Sequence, residues 1–222
     1  MGRLVVVDGL DGSGKSTQLE RLDAYFHASG IPYKQISFPD YENPSSALVK
    51  LYLDGKLGTN VSDVNAYAAS SFYAVDRYAS FKQFWQTEYQ RGDVIVAARY
   101  VTSNAIHQMS KLPREEWDAY LDWLAEYEYD RLGLPRPDSV VFLDMPPEVA
   151  ASLVMSRYGG DAAKKDIHER DAKYLAACRP AALYAAEKWG WHVISCAAGD
   201  GPRPMEEITE EILQTIKGDI LF

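Results

Sequence analysis

The segment Gly9-Leu10-Asp11-Gly12-Ser13-Gly14-Lys15-Ser16 fits G-x-x-x-x-G-K-[ST] at every fixed position. It follows an unbroken apolar run, Leu4-Val5-Val6-Val7, and precedes a stretch with helical periodicity. Glycines let successive backbone N–H groups wrap an anion, and a helix that starts at Lys15 aims its positive end at the same place. The motif therefore requires a strand buried on both faces, a tight loop and a helix, in that order. It marks Gly9 to Ser16, with Thr17, as a candidate nucleoside triphosphate site. Lys15 is placed to reach the β- and γ-phosphates, and the Ser16 hydroxyl to ligate Mg²⁺. The competing reading is a glycine-rich turn with no ligand. The dinucleotide fingerprint G-x-G-x-x-G is absent, because the glycine order is reversed.

The rest of the chain continues that alternation. Strands are expected at 4–7, 33–38, 94–97, 140–143 and 192–196, ended by signals such as Pro39. Between them the spacing predicts helices over 15–29 and 45–53, then a long one capped by Ser62 or Asp63 and running to about Arg91. Further helices are expected from near Ser103, from Pro113 to Leu132 with Pro113 in the first turn, and from Pro146-Pro147 to about Arg157. A loop at 158–165 leads to helices over 167–189 and 205–216. This is the pattern of an α/β protein with the P-loop NTPase fold: one domain over 1–222, a five-stranded parallel sheet with helices on both faces, and right-handed connections.

Composition narrows the partners. The 222 residues are 47% hydrophobic and carry a formal net charge of −9. A broad cationic footprint for a nucleic-acid polymer is missing, whereas a small anion can still be held by a few aimed groups. No apolar run approaches a membrane span and no secretory leader is visible, so no membrane partner and a cytoplasmic location are expected. The two cysteines, Cys178 and Cys196, read as reduced core residues, and a disulfide between them stays open as an alternative.

Several segments together resemble the thymidylate kinases. They are Asp8 to Thr17, Phe38-Pro39-Asp40-Tyr41, Tyr73-Ala74-Val75-Asp76-Arg77, Arg99 to Gln108, Pro137-Asp138 and Leu143-Asp144-Met145-Pro146-Pro147. The similarity spans nearly the whole chain. It implies phosphoryl transfer from ATP to dTMP with Mg²⁺ in dTTP biosynthesis, by a homodimer. Tyr73 and Arg77 are four residues apart, so they share a helix face, and a ring and a guanidinium there suit a pyrimidine face and edge. The plainer alternative is a core tyrosine and a salt bridge. Arg99 lies at the carboxyl end of a strand, where open parallel sheets bind ligands, and is expected to clamp the acceptor phosphate. Asn104 and Gln108 form a second i, i+4 pair, assigned by the resemblance to the base and neighbouring groups. Asp11 is implied to meet the sugar hydroxyl. Phe38, Tyr41 and His107 are expected to line the acceptor side, although Phe38 also suits the core.

The resemblance implies a mobile lid at about 157–170. Arg157, Lys164 and Lys165, with Arg170 nearby, are its candidate cations for the transferred group, because Gly12 stands where some members carry a loop arginine. Two further departures stand out. Ala98 stands where the family usually has the aspartate of Asp-Arg-Tyr, and His107 where some members have a tyrosine that crowds the sugar 2′ position. The acceptor phosphate is already ionised, so transfer is expected to survive without that aspartate. Rival readings are a kinase for another nucleoside or nucleoside monophosphate and a nucleotide-dependent switch. A guanine-reading N-K-x-D motif is absent.

Overall fold

Strand β1 (Arg3–Gly9) runs through the middle of the sheet, which is why its apolar run is unbroken. The computed structural model describes residues 1–150, 172–199 and 201–220. The five parallel strands are β1, β2 (Tyr33–Ser37), β3 (Val94–Ala98), β4 (Ser139–Asp144) and β5 (His192–Ser195), in the order β2-β3-β1-β4-β5. Register pairs Val7 with Ala98, Ser37 with Ala98 and Gly9 with Leu143. The carboxyl ends of four strands therefore stand side by side, and whatever leaves them meets in one place.

Alternate side chains of the strands feed two cores. Val5, Val7, Val96, Val141 and Ile194 pack with Leu22 and Phe26 of α1 (Lys15–Ser29) and Ile212 of α8 (Met205–Ile220). On the other face Leu4, Val6, Ile95 and Phe142 pack with Ile106 of α5 (Val101–His107), Leu124 of α6 (Trp117–Ala125) and Ala182 of α7 (Ala172–Trp189).

Helix boundaries depart from expectation where side chains have other partners. After α2 (Ala47–Leu53), Asp63 spends its carboxylate on the Asn60 N–H at 2.9 Å, closing the short 3₁₀ turn Val61–Asp63. The cap of α3 (Ala66–Ser80) is instead Asn65, which accepts from the Ala68 N–H at 2.8 Å. The helix continues through a π-helical stretch, Phe81–Trp85, into α4 (Gln86–Arg91), and Gly92 ends it in the left-handed conformation. α5 begins at Val101, two residues before the expected start, because Thr102 and Ser103 give their hydroxyls to a carboxylate in β1. Pro113 stays extended before a 3₁₀ turn, Arg114–Glu116, rather than entering a first helical turn. α6 ends in a second π-helical stretch, Glu126–Arg131. Helical backbone starts at 147–150; the expected extension to Arg157, the lid with its loop and the start of the helix over 167–189 lie outside the described residues.

Candidate active site

The loop after β1 is shaped by its glycines. A Cβ on Gly9 would lie 2.6 Å from Ser13 Oγ and 2.8 Å from the Leu143 carbonyl, so only glycine allows β4 to approach this closely. Gly14 has φ 87° where α1 starts, a left-handed value with open space around it; there glycine answers a conformational need, not a steric one. Asp11, Gly12, Ser13, Gly14, Lys15 and Ser16 line a cavity of about 480 Å³. Gly9, Leu10 and Thr17 lie outside that lining. Lys15 Nζ donates to the carbonyls of Gly9 at 2.7 Å and Leu10 at 3.1 Å. The cation thus lies along the loop that a phosphate chain would occupy.

Asp8 ties this loop to α5. Its carboxylate is fully buried and accepts from the Gly9 N–H at 2.8 Å and from the hydroxyls of Thr102 and Ser103, both at 2.7 Å.

A second cavity, about 370 Å³, lies beside the first. All nine residues expected on the acceptor side line it: Asp11, Phe38, Tyr41, Tyr73, Arg77, Arg99, Asn104, His107 and Gln108. The two cavities share Asp11, Ser37, Phe38 and Arg99, which form their common wall. Phe38 is both core and wall, since its ring is buried yet borders each cavity.

Arg99 is the centre of that wall. It follows β3 with φ 64°, a left-handed conformation that side chains other than glycine rarely adopt, and its N–H donates to the Val7 carbonyl at 3.1 Å. Its Nη2 donates to Asp11 Oδ1 at 2.9 Å and its Nη1 to His107 Nε2 at 3.0 Å. That contact requires His107 to keep a lone pair on Nε2. Burial pulls the Arg99 pKa down, but Asp11 and Asp8 outweigh it and the net shift is upward.

Arg77, on the far wall, is held from behind in an ion pair whose acidic partner the sequence did not reveal. Arg77 is 1% exposed and Glu128, in the π-helical end of α6, is 0% exposed. Arg77 Nε donates to Glu128 Oε2 at 2.7 Å and Nη2 to Oε1 at 2.5 Å. Burial lowers the Arg77 pKa, and Glu128 more than offsets it, so the guanidinium stays charged. Arg77 is thus both a salt-bridge residue and a cavity residue. Asn104 Nδ2 donates to Glu128 Oε1 at 2.9 Å and to the Ser70 carbonyl at 3.2 Å. Gln108 Oε1 is buried and has no hydrogen-bond partner among the described residues.

Lys111, in the 3₁₀ turn Met109–Lys111 after α5, donates from Nζ to Tyr52 Oη at 2.6 Å and to the Val64 carbonyl at 3.1 Å. Burial lowers its pKa to about 8. Asp76 accepts from the Asp40 N–H at 3.0 Å and from Ser45 Oγ at 2.6 Å, fastening the segment after β2 onto α3. Asp138 lies at the opposite end of the sheet, where it accepts from Arg3 and the Leu4 N–H; it belongs to the scaffold, not to the cavities.

A glycine-rich loop opening a helix at the end of a central parallel strand, with a second cavity sharing its wall, defines the layout of a nucleotide-binding α/β protein with two adjoining cavities. The family model for thymidylate kinase matches residues 7–212. The chain is 32% identical over 205 residues to a thymidylate kinase of Mycobacterium tuberculosis (strain H37Rv), covering 89% of this chain and 94% of that one. It is 31% identical over 159 residues to one of Caenorhabditis elegans, covering 68% and 66%. In fold it is similar to a thymidylate kinase structure from Candida albicans, with TM-score 0.71 and 22% identity over 98% of this chain and 92% of that one. The chain belongs to the thymidylate kinase family of nucleoside monophosphate kinases.

The donor set also bears on Mg²⁺. Ser16 presents an exposed hydroxyl on the loop cavity. Among the described residues no group of three acidic, histidine or cysteine side chains could hold an ion unaided. One hydroxyl fits a Mg²⁺ that arrives on nucleotide phosphates and keeps water in most of its shell.

Proposed function

We propose that this chain transfers the γ-phosphoryl group of ATP to the 5′-phosphate of dTMP, yielding ADP and dTDP in dTTP biosynthesis. The observation that carries the reading is the shared wall: the cavity lined by the phosphate loop and the cavity lined by the nine acceptor residues meet at Asp11, Ser37, Phe38 and Arg99. Two phosphates brought to one wall from opposite sides are positioned for in-line transfer, and positioning supplies much of the catalysis in this chemistry.

In this reading Lys15 leaves the Gly9 and Leu10 carbonyls for the β- and γ-phosphates, and the loop N–H groups from Asp11 to Ser16 hold the remaining oxygens. Arg99 grips the acceptor phosphate. Its attacking oxygen is already ionised, so no general base is required. Ser16 would hold Mg²⁺, which when bound offsets negative charge on the donor phosphates. Tyr73 stacks on the base, Arg77 donates to thymine O4, and Asn104 meets N3–H. Asp11 meets the sugar hydroxyl, while Phe38, Tyr41, His107 and Gln108 complete the pocket. Arg157, Lys164 and Lys165 supply charge to the transferred group.

We propose a homodimer as well. Leu48, Leu51, Val75 and Tyr78 expose apolar side chains on α2 and α3. Sedimentation at the monomer mass of 24.9 kDa would remove that proposal. A cytoplasmic location is supported by Cys178 and Cys196, both buried and unpaired. No helix among the described residues is long and apolar enough to cross a membrane.

A coupled ADP-release assay with dTMP, dUMP, dCMP, dGMP and AMP tests the activity. The expected order has dTMP first; a clear preference for another acceptor overturns the substrate.

A further inference from the structure

We infer that Glu128 is a positioning residue that sets the choice of thymine over cytosine, by fixing which end of the Asn104 amide faces the acceptor cavity. The inference rests on the acceptor reading above and goes beyond it, because Glu128 is not itself among the residues that border the cavity.

An amide side chain can present either a donor or an acceptor, and a half-turn about its last bond exchanges them. At Asn104 that exchange is blocked. Both neighbours on the protein side, Glu128 Oε1 at 2.9 Å and the Ser70 carbonyl at 3.2 Å, only accept hydrogen bonds. Glu128 remains a pure acceptor because Arg77 holds its two oxygens in a fork. Turning Asn104 over would set its oxygen against two acceptors at a buried site, a costly arrangement. The nitrogen is therefore committed to the protein. Asn104 Oδ1, which makes no hydrogen bond among the described residues, is left for the cavity.

The same carboxylate disposes Arg77. Glu128 occupies Nε and Nη2, and Nη1 makes no hydrogen bond among the described residues. The cavity is thus offered an acceptor from Asn104 and a donor from Arg77. That order matches thymine, with its N3–H donor and O4 acceptor, and opposes cytosine, which has an acceptor at N3 and an amine at C4. One carboxylate imposes both halves of the pattern.

The test is the ratio of kcat/KM for dTMP to that for dCMP in Glu128→Gln and Glu128→Asp. Glutamine offers an N–H₂ that tolerates a turned Asn104; aspartate keeps the charge but falls one methylene short of the fork. We expect the dTMP:dCMP ratio to fall by roughly 10-fold or more in Glu128→Gln and by less in Glu128→Asp. The dTMP:dUMP ratio should stay within about twofold, since uracil carries the same hydrogen-bonding edge. General loosening of the pocket would instead lower all three acceptors together. A variant that melts cooperatively yet keeps the dTMP:dCMP ratio overturns the inference. So does a dTMP complex of the unaltered protein in which Asn104 lies outside hydrogen-bond reach of Glu128, a measurement that needs no variant to fold. If the unaltered enzyme itself does not prefer dTMP to dCMP, the acceptor reading fails rather than the role of Glu128.

Discussion

The two cavities are built by different means. The loop cavity is built around one contiguous run, Asp11 to Ser16, whose shape is set by glycine torsions, with the first turns of α1 and the ends of β2 and β3 closing it. The second cavity, the proposed acceptor side, is side chains drawn from the segment after β2, from α3, from the end of β3 and from α5, held from behind by a buried carboxylate on the extension of α6. The first kind of site can lose a functional side chain and keep its shape. In the second, function and support are the same atoms.

That contrast can be broken by substitution. Lys15→Ala should lower kcat by roughly 10²–10³-fold while leaving the melting temperature and the stabilisation by dTMP nearly unchanged, because glycine torsions shape the loop and the lysine's bonds to the Gly9 and Leu10 carbonyls lie within it. A thermal melt with and without dTMP, beside steady-state kinetics, checks both halves. Arg77→Met should instead unfold easily. It strands Glu128 as a buried charge, at a cost of about 3–5 kcal/mol, so denaturant titration should show the midpoint falling with little change in slope.

Lys111 sharpens the comparison through pH. Its folded-state pKa is lowered to about 8, while the unfolded lysine titrates at its ordinary value of 10.5. Between those values the unfolded chain binds the extra proton. Stability should rise with pH across that window by at most about 3 kcal/mol, and the burial cost of the charge should be fully present below it. Lys111→Met should remove this rise; melting curves from pH 7 to 10.5 that run parallel for the two proteins would refute the assignment. The smallest effect concerns the loop cavity. Ala98 ends β3 on that cavity's wall, where the family usually has aspartate. Ala98→Asp should raise kcat no more than severalfold at saturating Mg²⁺, since the acceptor phosphate needs no base; an increase of orders of magnitude would show that the carboxylate is required.

Legibility in the sequence follows the same division. α1 spans Lys15–Ser29, as read, because loop, helix start and Gly30 stop are all local signals. That the nine residues share one cavity was also legible, since i, i+4 spacing and the family segments named each of them. Glu128 was not. It lies 51 residues from Arg77 in sequence, inside the run Glu126-Tyr127-Glu128-Tyr129-Asp130-Arg131, which reads as a solvated charged face. A usable signal existed: a buried arginine with no acid one turn away on its own helix requires a carboxylate from elsewhere. Asn65 was missed as the cap for a related reason, because Asp63 offers the same chemistry and only the fold shows that Asn60 has claimed it.

Arg99 carries one more consequence. Because its backbone is left-handed and its N–H is tied to Val7, the direction of its side chain is set by the main chain of two neighbouring strands before any rotamer is chosen. Glycine at 99 would ease that torsion, on the order of 1–2 kcal/mol, while silencing the guanidinium. The bonds to Asp11 and His107 would go with it, so the strained torsion is kept by the very side chain it aims.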